Sequence, residues 1–91
     1  MEWIWDPRKA EANFAKHGIL FETTVYVFDD PHLICSPDPH PDDDRWQTIG
    51  MVDLATVFVV HTEIDEDGTG RIISARKATP TERRLYAKNL S

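Results

Sequence analysis

Thiols are scarce in this sequence, which has one cysteine, Cys35, in 91 residues. A single thiol excludes an internal disulfide and a metal site built from several thiolates. Long apolar runs are missing as well: the longest, residues 57–60, is far shorter than the roughly 20 residues that cross a bilayer. No basic segment followed by an apolar one opens the chain, so we expect a soluble protein of the reducing cytoplasm, without membrane contact.

Glycine-rich motifs are also missing. The sequence contains neither a phosphate-binding glycine loop nor a Gly-x-Ser-x-Gly turn, and we therefore expect no cofactor. The segment from His40 to Asp44 offers several carboxylates, but its prolines stiffen the chain and the EF-hand spacing is absent. A solvated acidic loop is the favoured interpretation, and a metal-dependent hydrolase that uses His40 and the aspartates is the alternative.

Charge is divided unevenly along the chain. The formal net charge is −6, yet residues 1–70 hold four basic side chains against fifteen acidic ones, whereas residues 71–91 hold six basic ones against Glu82 alone. One surface can therefore attract an anion while the remainder repels it. This basic C-terminal segment is where we expect contact with a nucleic-acid backbone; a solvated helix with ordinary Lys and Arg is the alternative.

The N-terminal third predicts a short edge strand at residues 3–5 and two helices. Asp6-Pro7 is typical of a helix start and Gly18 of a helix end, which delimits a helix over residues 7–17. A second helix is predicted over residues 21–28, ended by the Asp-Asp-Pro that follows. Apolar residues at helical spacing predict the buried sides of these helices: Ala10, Phe14 and His17 in the first, and Phe21, Val25 and Phe28 in the second.

The remainder predicts strands and one more helix. The strand-like segments are residues 32–36, 45–52, 55–63 and 71–77. Asp53-Leu54 is a tight turn, and residues 64–70 form a longer hairpin loop. Thr79-Pro80, with Glu82 three residues after the threonine, is typical of a capping box that opens a helix. Helices grouped on one side of an antiparallel sheet make an α+β domain, and we expect residues 1–91 to be a single domain.

The last two strands carry the candidate chemistry. Alternation places His61 and Glu63 on one face of their strand, and in the next strand it places Arg71 and Lys77 with Ile73, opposite Arg76 with Ile72 and Ser74. Antiparallel pairing brings His61 and Glu63 to the Arg71 end. Metal-free RNA cleavage needs such a set: a base for the 2′-hydroxyl, cations for the phosphate and an acid for the 5′-oxygen. The alternative is a Glu63–Arg71 ion pair beside a structural His61.

Several blocks of the sequence resemble the BrnT family, in the same order along nearly the whole chain. The N-terminal blocks are Trp5-Asp6-Pro7, Lys9, Asn13, Lys16-His17-Gly18, Phe21-Glu22, Val27-Phe28 and Asp30-Pro31. The C-terminal blocks are Arg45, Gly50, Val60-His61, residues 71–79, Glu82-Arg83 and Tyr86. Two features depart from the family. Leu20 removes the polar cap of the second helix. The acidic run of residues 42–44 must either point away from RNA or belong to the interface with an antitoxin, the partner protein that the resemblance implies.

The resemblance implies a RelE-like fold, and the β-α-α-β-β-β order read from the residues, an antiparallel sheet with two N-terminal helices and a C-terminal helix, agrees with it. It further implies a metal-independent endoribonuclease toxin that arrests growth, and a BrnA-type antitoxin with a ribbon-helix-helix part, through which alone operator DNA is bound. The predicted catalytic residues are His61, Glu63, Arg71, Arg76 and Lys77. The predicted substrate-binding residues are Lys16, His17, Arg83 and Tyr86, and His17 is equally suited to end the first helix. The alternative is a non-catalytic module that acts as a co-repressor subunit with its ribbon-helix-helix partner.

Overall fold

The computed structural model describes residues 2–39 and 44–90. Within these ranges the chain forms five strands and three α-helices. In chain order they are β1 (Glu2–Ile4), α1 (Pro7–His17), α2 (Phe21–Thr24) with a 3₁₀ continuation (Val25–Asp29), β2 (Ile34–Pro37), β3 (Trp46–Val52), β4 (Ala55–His61), β5 (Thr69–Lys77) and α3 (Pro80–Leu90). No helix in the described part of the chain is long and apolar enough to cross a membrane.

The boundaries of α1 follow from its end residues. The Asp6 carboxylate accepts a hydrogen bond from the Arg8 amide at 2.9 Å, Pro7 occupies the first turn, and Gly18 ends the helix at φ 71°. This helix is confirmed where the sequence predicts it, and Ala10 packs against the core as its spacing predicts, but the prediction for Phe14 is wrong. Phe14 is 48% exposed, and Asn13 is the buried residue of the helix.

The second helix is confirmed in position, but it tightens into a 3₁₀ helix at Val25. Thr23, Thr24 and Val25 are poor α-helix formers, which is consistent with the early loss of α-geometry. Leu20 provides no side-chain cap, as expected from its departure from the family pattern. The capping box of α3 is also confirmed, since the Glu82 amide donates to Thr79 Oγ1 and the Thr79 amide donates to Glu82 Oε1.

The sheet has the order β1-β5-β4-β3-β2. It is mixed, because β1 pairs parallel with β5 while the other pairs are antiparallel, so the prediction of an all-antiparallel sheet is wrong. The helices lie on both faces of the sheet, so the prediction that they are grouped on one side is also wrong. On the α1 face, α1 and α2 pack over a cluster that includes Phe21, Val57, Val59 and Ala75. On the opposite face, called the α3 face, Tyr86 of α3 packs against Ile49, Phe58 and Val60.

A bulge changes which residues of β5 share a face. Val60 pairs with Ser74, but the next residue, His61, pairs with Ile72, so Ile73 is the extra residue. Ile72 therefore belongs to the core on the α1 face, while Ile73 packs on the α3 face. The extra residue reverses the alternation on one side of the bulge, so Arg71 shares the α3 face with Arg76, and not with Lys77 as simple alternation predicts.

Two side chains form hydrogen bonds with backbone groups at strand edges that no neighbouring strand covers. The Asn13 amide donates to the Ala75 carbonyl at 2.8 Å and accepts from the Ala75 amide at 3.1 Å, so that it pairs with β5 as a neighbouring strand would. The Asp30 carboxylate accepts from the Met51 amide at 2.8 Å, beyond the last β2–β3 pair. The Tyr86 hydroxyl donates to the same Asp30 oxygen, which connects α3 with the segment before β2.

Candidate active site

His61 lies inside the protein on the α1 face, with 5% of its surface exposed. Its ring meets Trp3 and Phe28 edge-on, at centroid distances of 5.3 and 5.0 Å. Nε2 lies 2.6 Å from Thr48 Oγ1, and Nδ1 lies 2.8 Å from the Thr62 carbonyl oxygen. A carbonyl only accepts, so Nδ1 carries the proton and Nε2 accepts from the threonine hydroxyl. Both ring nitrogens are thereby engaged inside the protein.

Burial lowers the pKa of His61 below its usual value of about 6.5. The hydrogen bond to the Thr62 carbonyl and the charge of Asp44 act in the opposite direction, but burial is the larger effect. The ring is therefore neutral at pH 7, which agrees with its two hydrogen bonds.

We expect His61 to titrate below pH 6.5 in the folded protein, as the neutral Nδ1–H tautomer, when followed by NMR of the imidazole ring. Because the unfolded chain takes up this proton at a higher pH than the folded chain does, the contribution of His61 to stability is complete above about pH 6.5 and decreases as the pH falls from there towards the folded pKa. Thermal unfolding across that range measures the loss. A His61 resonance that titrates at or above pH 6.5 would contradict the buried, neutral assignment.

Arg76 is occupied by contacts within the fold. Its guanidinium forms two hydrogen bonds with the Glu82 carboxylate, at 2.7 and 3.0 Å, and it lies 4.1 Å from the centre of the Phe58 ring. The hydrogen bond from Arg76 holds the pKa of Glu82 below its usual value, against the effect of burial. The pair joins β5 to the first turn of α3, so Arg76 has a structural role that the sequence did not indicate.

The structure does not bring the five predicted catalytic residues to one patch. His61 packs on the α1 face, whereas Arg76 lies on the α3 face. Lys77 lines a groove beside Phe14 and Leu54, at the opposite end of β5 from Arg71. Lys77 stands six positions after Arg71 in β5, which is about 20 Å at the rise of a strand. The expected convergence of His61 with the guanidinium groups is therefore wrong. Glu63 shares one pocket with Arg71 and another, of about 300 Å³, with His61.

Arg71 belongs to a different cationic cluster. A pocket of about 220 Å³ is lined by Lys9, Arg45 and Arg71, together with the neutral Thr62 and one carboxylate, that of Asp44. In residues 2–39 and 44–90 no hydrogen-bond partner engages the Arg71 guanidinium, in contrast to that of Arg76. Three cations against one carboxylate give the pocket a positive field, which suits a phosphate.

Glu63 borders the same cluster. A neighbouring pocket of about 300 Å³ is lined by Glu63, Arg71 and Asp44 among others, and the Glu63 amide donates to Asp44 Oδ1 at 3.0 Å. Asp44 therefore faces the cationic cluster, and of the two expectations for the acidic run, an orientation away from RNA or a place in the antitoxin interface, the second stays a prediction. Asp42, Asp43 and the remainder of the loop that begins at His40 lie outside the described residues.

The predicted substrate-binding residues lie in separate places. Lys16 is exposed and His17 half-buried. They are the last two residues of α1, just before Gly18, which lines the groove that also contains Lys77. Arg83 is exposed on α3 and donates to the Ala78 carbonyl at 3.0 Å. Tyr86 is 5% exposed, and burial, together with its hydrogen bond to Asp30, raises its pKa to about 12. Of these four residues, Tyr86 is a core residue in the structure.

Sequence reasoning assigned no role to Lys9 or Arg45, although both belong to the blocks that resemble the BrnT family. The register of the β3–β4 hairpin indicates the position of Arg45. The two-residue turn after Val52 pairs Val52 with Ala55 and carries through to Trp46 with His61, which leaves Arg45 opposite Thr62. Lys9 gives no comparable signal, because its place depends on how α1 crosses the sheet. Among the residues that the structure describes, no group of three His, Cys, Asp or Glu side chains is placed to hold a metal ion.

A family model described as the ribonuclease toxin BrnT of type II toxin–antitoxin systems matches residues 5–82 of the chain. The match includes α1 through β5 and the first turn of α3, and with them Lys9, Arg45, Glu63 and Arg71. A comparison with curated proteins gives no significant match.

Proposed function

Since this chain belongs to the BrnT family of ribonuclease toxins from type II toxin–antitoxin systems, we propose that it is a metal-independent endoribonuclease that arrests growth by cutting RNA in the cytoplasm. The observation that supports this activity is the pocket of Lys9, Arg45 and Arg71, in which three cations face one carboxylate. Since phosphate contacts supply most of the nonspecific affinity for nucleic acid, such a pocket on an acidic protein marks the surface that an RNA backbone approaches.

In the proposed reaction, Arg71 and Arg45 hold the scissile phosphate and stabilise the charge that builds up on it. Glu63, whose exposed carboxylate borders the pocket, takes the proton from the 2′-hydroxyl. Lys9 donates the proton to the departing 5′-oxygen, because a guanidinium holds its proton too tightly for this step. The products are a 2′,3′-cyclic phosphate and a 5′-hydroxyl.

The earlier candidates take other parts in this proposal. Arg76 positions β5 and α3 through Glu82, and His61 positions the end of β4 through Thr48 and Thr62. Arg83 contacts the RNA beyond the cleavage point from α3. Lys77, Lys16 and His17 lie near a different groove, and we assign them no step in the reaction.

The remaining parts of the proposal concern fold relatives and partners. A mixed sheet with two helices on one face and a third on the other is compatible with a RelE-like fold, and we propose that relationship. We further propose that the antitoxin is of BrnA type, with a ribbon-helix-helix part. This chain would reach operator DNA only through that partner.

The test is cleavage of a defined RNA by the purified protein in the presence of EDTA. We expect cleavage that is unaffected by the chelator, with cyclic-phosphate ends, and growth arrest on expression that the adjacent gene relieves. Activity that requires a divalent cation would contradict the metal-independent mechanism. The burial of His61 and the engagement of Arg76 favour a second candidate, the non-catalytic co-repressor subunit, for which we expect neither RNA cleavage nor growth arrest.

A further inference from the structure

A groove on the α1 face concentrates exposed apolar side chains. It lies between the α1–α2 junction and the β3–β4 turn, and its volume is about 430 Å³. Phe14 is 48% exposed there, Leu20 46% and Leu54 96%. Leu54 stands in the turn next to Asp53, whose backbone is left-handed at φ 54°, so it projects from the sheet without packing against it. Exposed apolar residues that cluster in one groove indicate an interaction surface, whereas the same residues scattered singly over the protein do not.

The rim of this groove is acidic on one side. Asp53 also lines a second, acidic pocket, together with Glu22, Asp29 and Tyr26. Tyr26 is 63% exposed and extends the apolar surface towards these carboxylates. In the described part of the chain, Lys77 is the one cation that lines either the groove or this acidic pocket. Three carboxylates around a hydrophobic surface repel a phosphate backbone and attract a basic, amphipathic segment.

The groove is also separate from the cationic pocket. Lys77 in the groove and Arg71 in the pocket lie about 20 Å apart along β5 and on opposite faces of the sheet. A partner anchored in the groove therefore leaves the pocket open, unless another part of that partner covers it. Binding at the groove and RNA cleavage at the pocket can thus be measured independently.

We propose that this groove, lined by Phe14, Leu20 and Leu54, is the docking site for an amphipathic segment of the antitoxin. The segment places aliphatic or aromatic side chains on Leu54 and Leu20, and its Lys and Arg residues face Glu22, Asp29 and Asp53. A partner that also binds DNA carries such basic residues. The inference rests on the proposed function in one respect, that the chain has an antitoxin.

The test measures binding of the small protein encoded by the adjacent gene to three variants of the full chain. Leu54→Asp places a charge in the groove, and we expect it to weaken binding roughly tenfold or more. Glu22→Lys reverses a rim charge, and we expect it to weaken binding most at low ionic strength. Leu85→Asp is the matched control, because Leu85 is 51% exposed but lies on α3 outside the groove, and we expect it to bind like the parent.

Each outcome bears on the proposal. Binding of Leu54→Asp that equals the parent overturns it, as does a loss that Leu85→Asp shares equally. Because Leu54 is exposed, its replacement is expected to leave the fold intact, which thermal unfolding checks, and Glu22→Lys gives an independent reading. Self-association of the parent through the groove, or binding of RNA there, also overturns it. RNA cleavage by Leu54→Asp is measured separately: cleavage at the parental rate with weakened binding supports both proposals, whereas an inactive parent that binds its partner through Leu54 refutes only the ribonuclease.

Discussion

Arg71→Ala is expected to lower the rate of RNA cleavage roughly 100-fold or more, the usual cost of removing a cation or donor that stabilises transition-state charge. Arg71 is exposed and shares its pocket with Lys9 and Arg45, so its loss removes about a third of the positive charge at the phosphate site. The fold should tolerate the change, since exposed positions without buried contacts usually alter stability by less than about 0.5 kcal/mol. Single-turnover cleavage of a defined RNA, with thermal unfolding in parallel, measures both quantities.

Two other arginines serve as comparisons for this result. Arg84 is exposed on α3 and donates to Thr81 Oγ1, so Arg84→Ala removes the same charge from the chain without touching the pocket. We expect it to cleave at nearly the parental rate. Arg76→Ala removes the bidentate pair with Glu82, and we expect a lower melting temperature. If Arg71→Ala retains full activity, or if Arg84→Ala loses as much, the pocket is not the phosphate site.

Asn13→Ala is expected to lower the free energy of unfolding by about 2–4 kcal/mol, because it leaves the buried amide and carbonyl of Ala75 without partners. For a domain of this size such a loss lowers the melting temperature by roughly 10–25 °C. Asn13 is 8% exposed, so water cannot readily replace the missing amide. Differential scanning calorimetry or denaturant titration gives the value.

A second asparagine provides the control. Asn89 also donates its side-chain amide to a backbone carbonyl, that of His32 at 2.8 Å, but it is exposed. Asn89→Ala should therefore change stability by well under 1 kcal/mol, since solvent takes over the lost hydrogen bond. If the two substitutions lower the free energy of unfolding equally, the hydrogen bonds of Asn13 to the edge of β5 contribute no more to stability than the exposed hydrogen bond of Asn89 does.

Sequence reasoning succeeded where local chemistry decides the structure. Asp6, Pro7 and Gly18 set the ends of α1, and Thr79 with Glu82 starts α3, because caps act within one turn of the helix. The strand predicted over residues 55–63 was likewise recognisable from its β-branched run, although it ends two residues earlier, at His61. The family resemblance, confirmed by the match over residues 5–82, added what no local pattern contains, namely the expectation of an antitoxin partner.

Sequence reasoning failed where contacts between distant parts of the chain decide the structure. Alternation assigned Arg71 and Lys77 to one face, but a single bulged residue, Ile73, reversed the assignment. Helical spacing chose Phe14 for the core over Asn13, because a polar residue is normally exposed, and the partner that satisfies Asn13 lies 62 residues away. The same limitation hid the cationic pocket, whose three cations come from three separate elements of the chain.

The amide of Asn13 and the carboxylate of Asp30 have one consequence for how copies of this protein behave towards each other. Each occupies backbone groups of a long strand, β5 or β3, where no neighbouring strand covers them. Exposed groups of that kind act as templates on which another molecule can extend a β-ladder, the route to amorphous aggregates and fibrils. With those positions taken by its own side chains, the part of the chain that the structure describes leaves short strand edges at β1 and β2 to an incoming chain, which disfavours edge-to-edge aggregation.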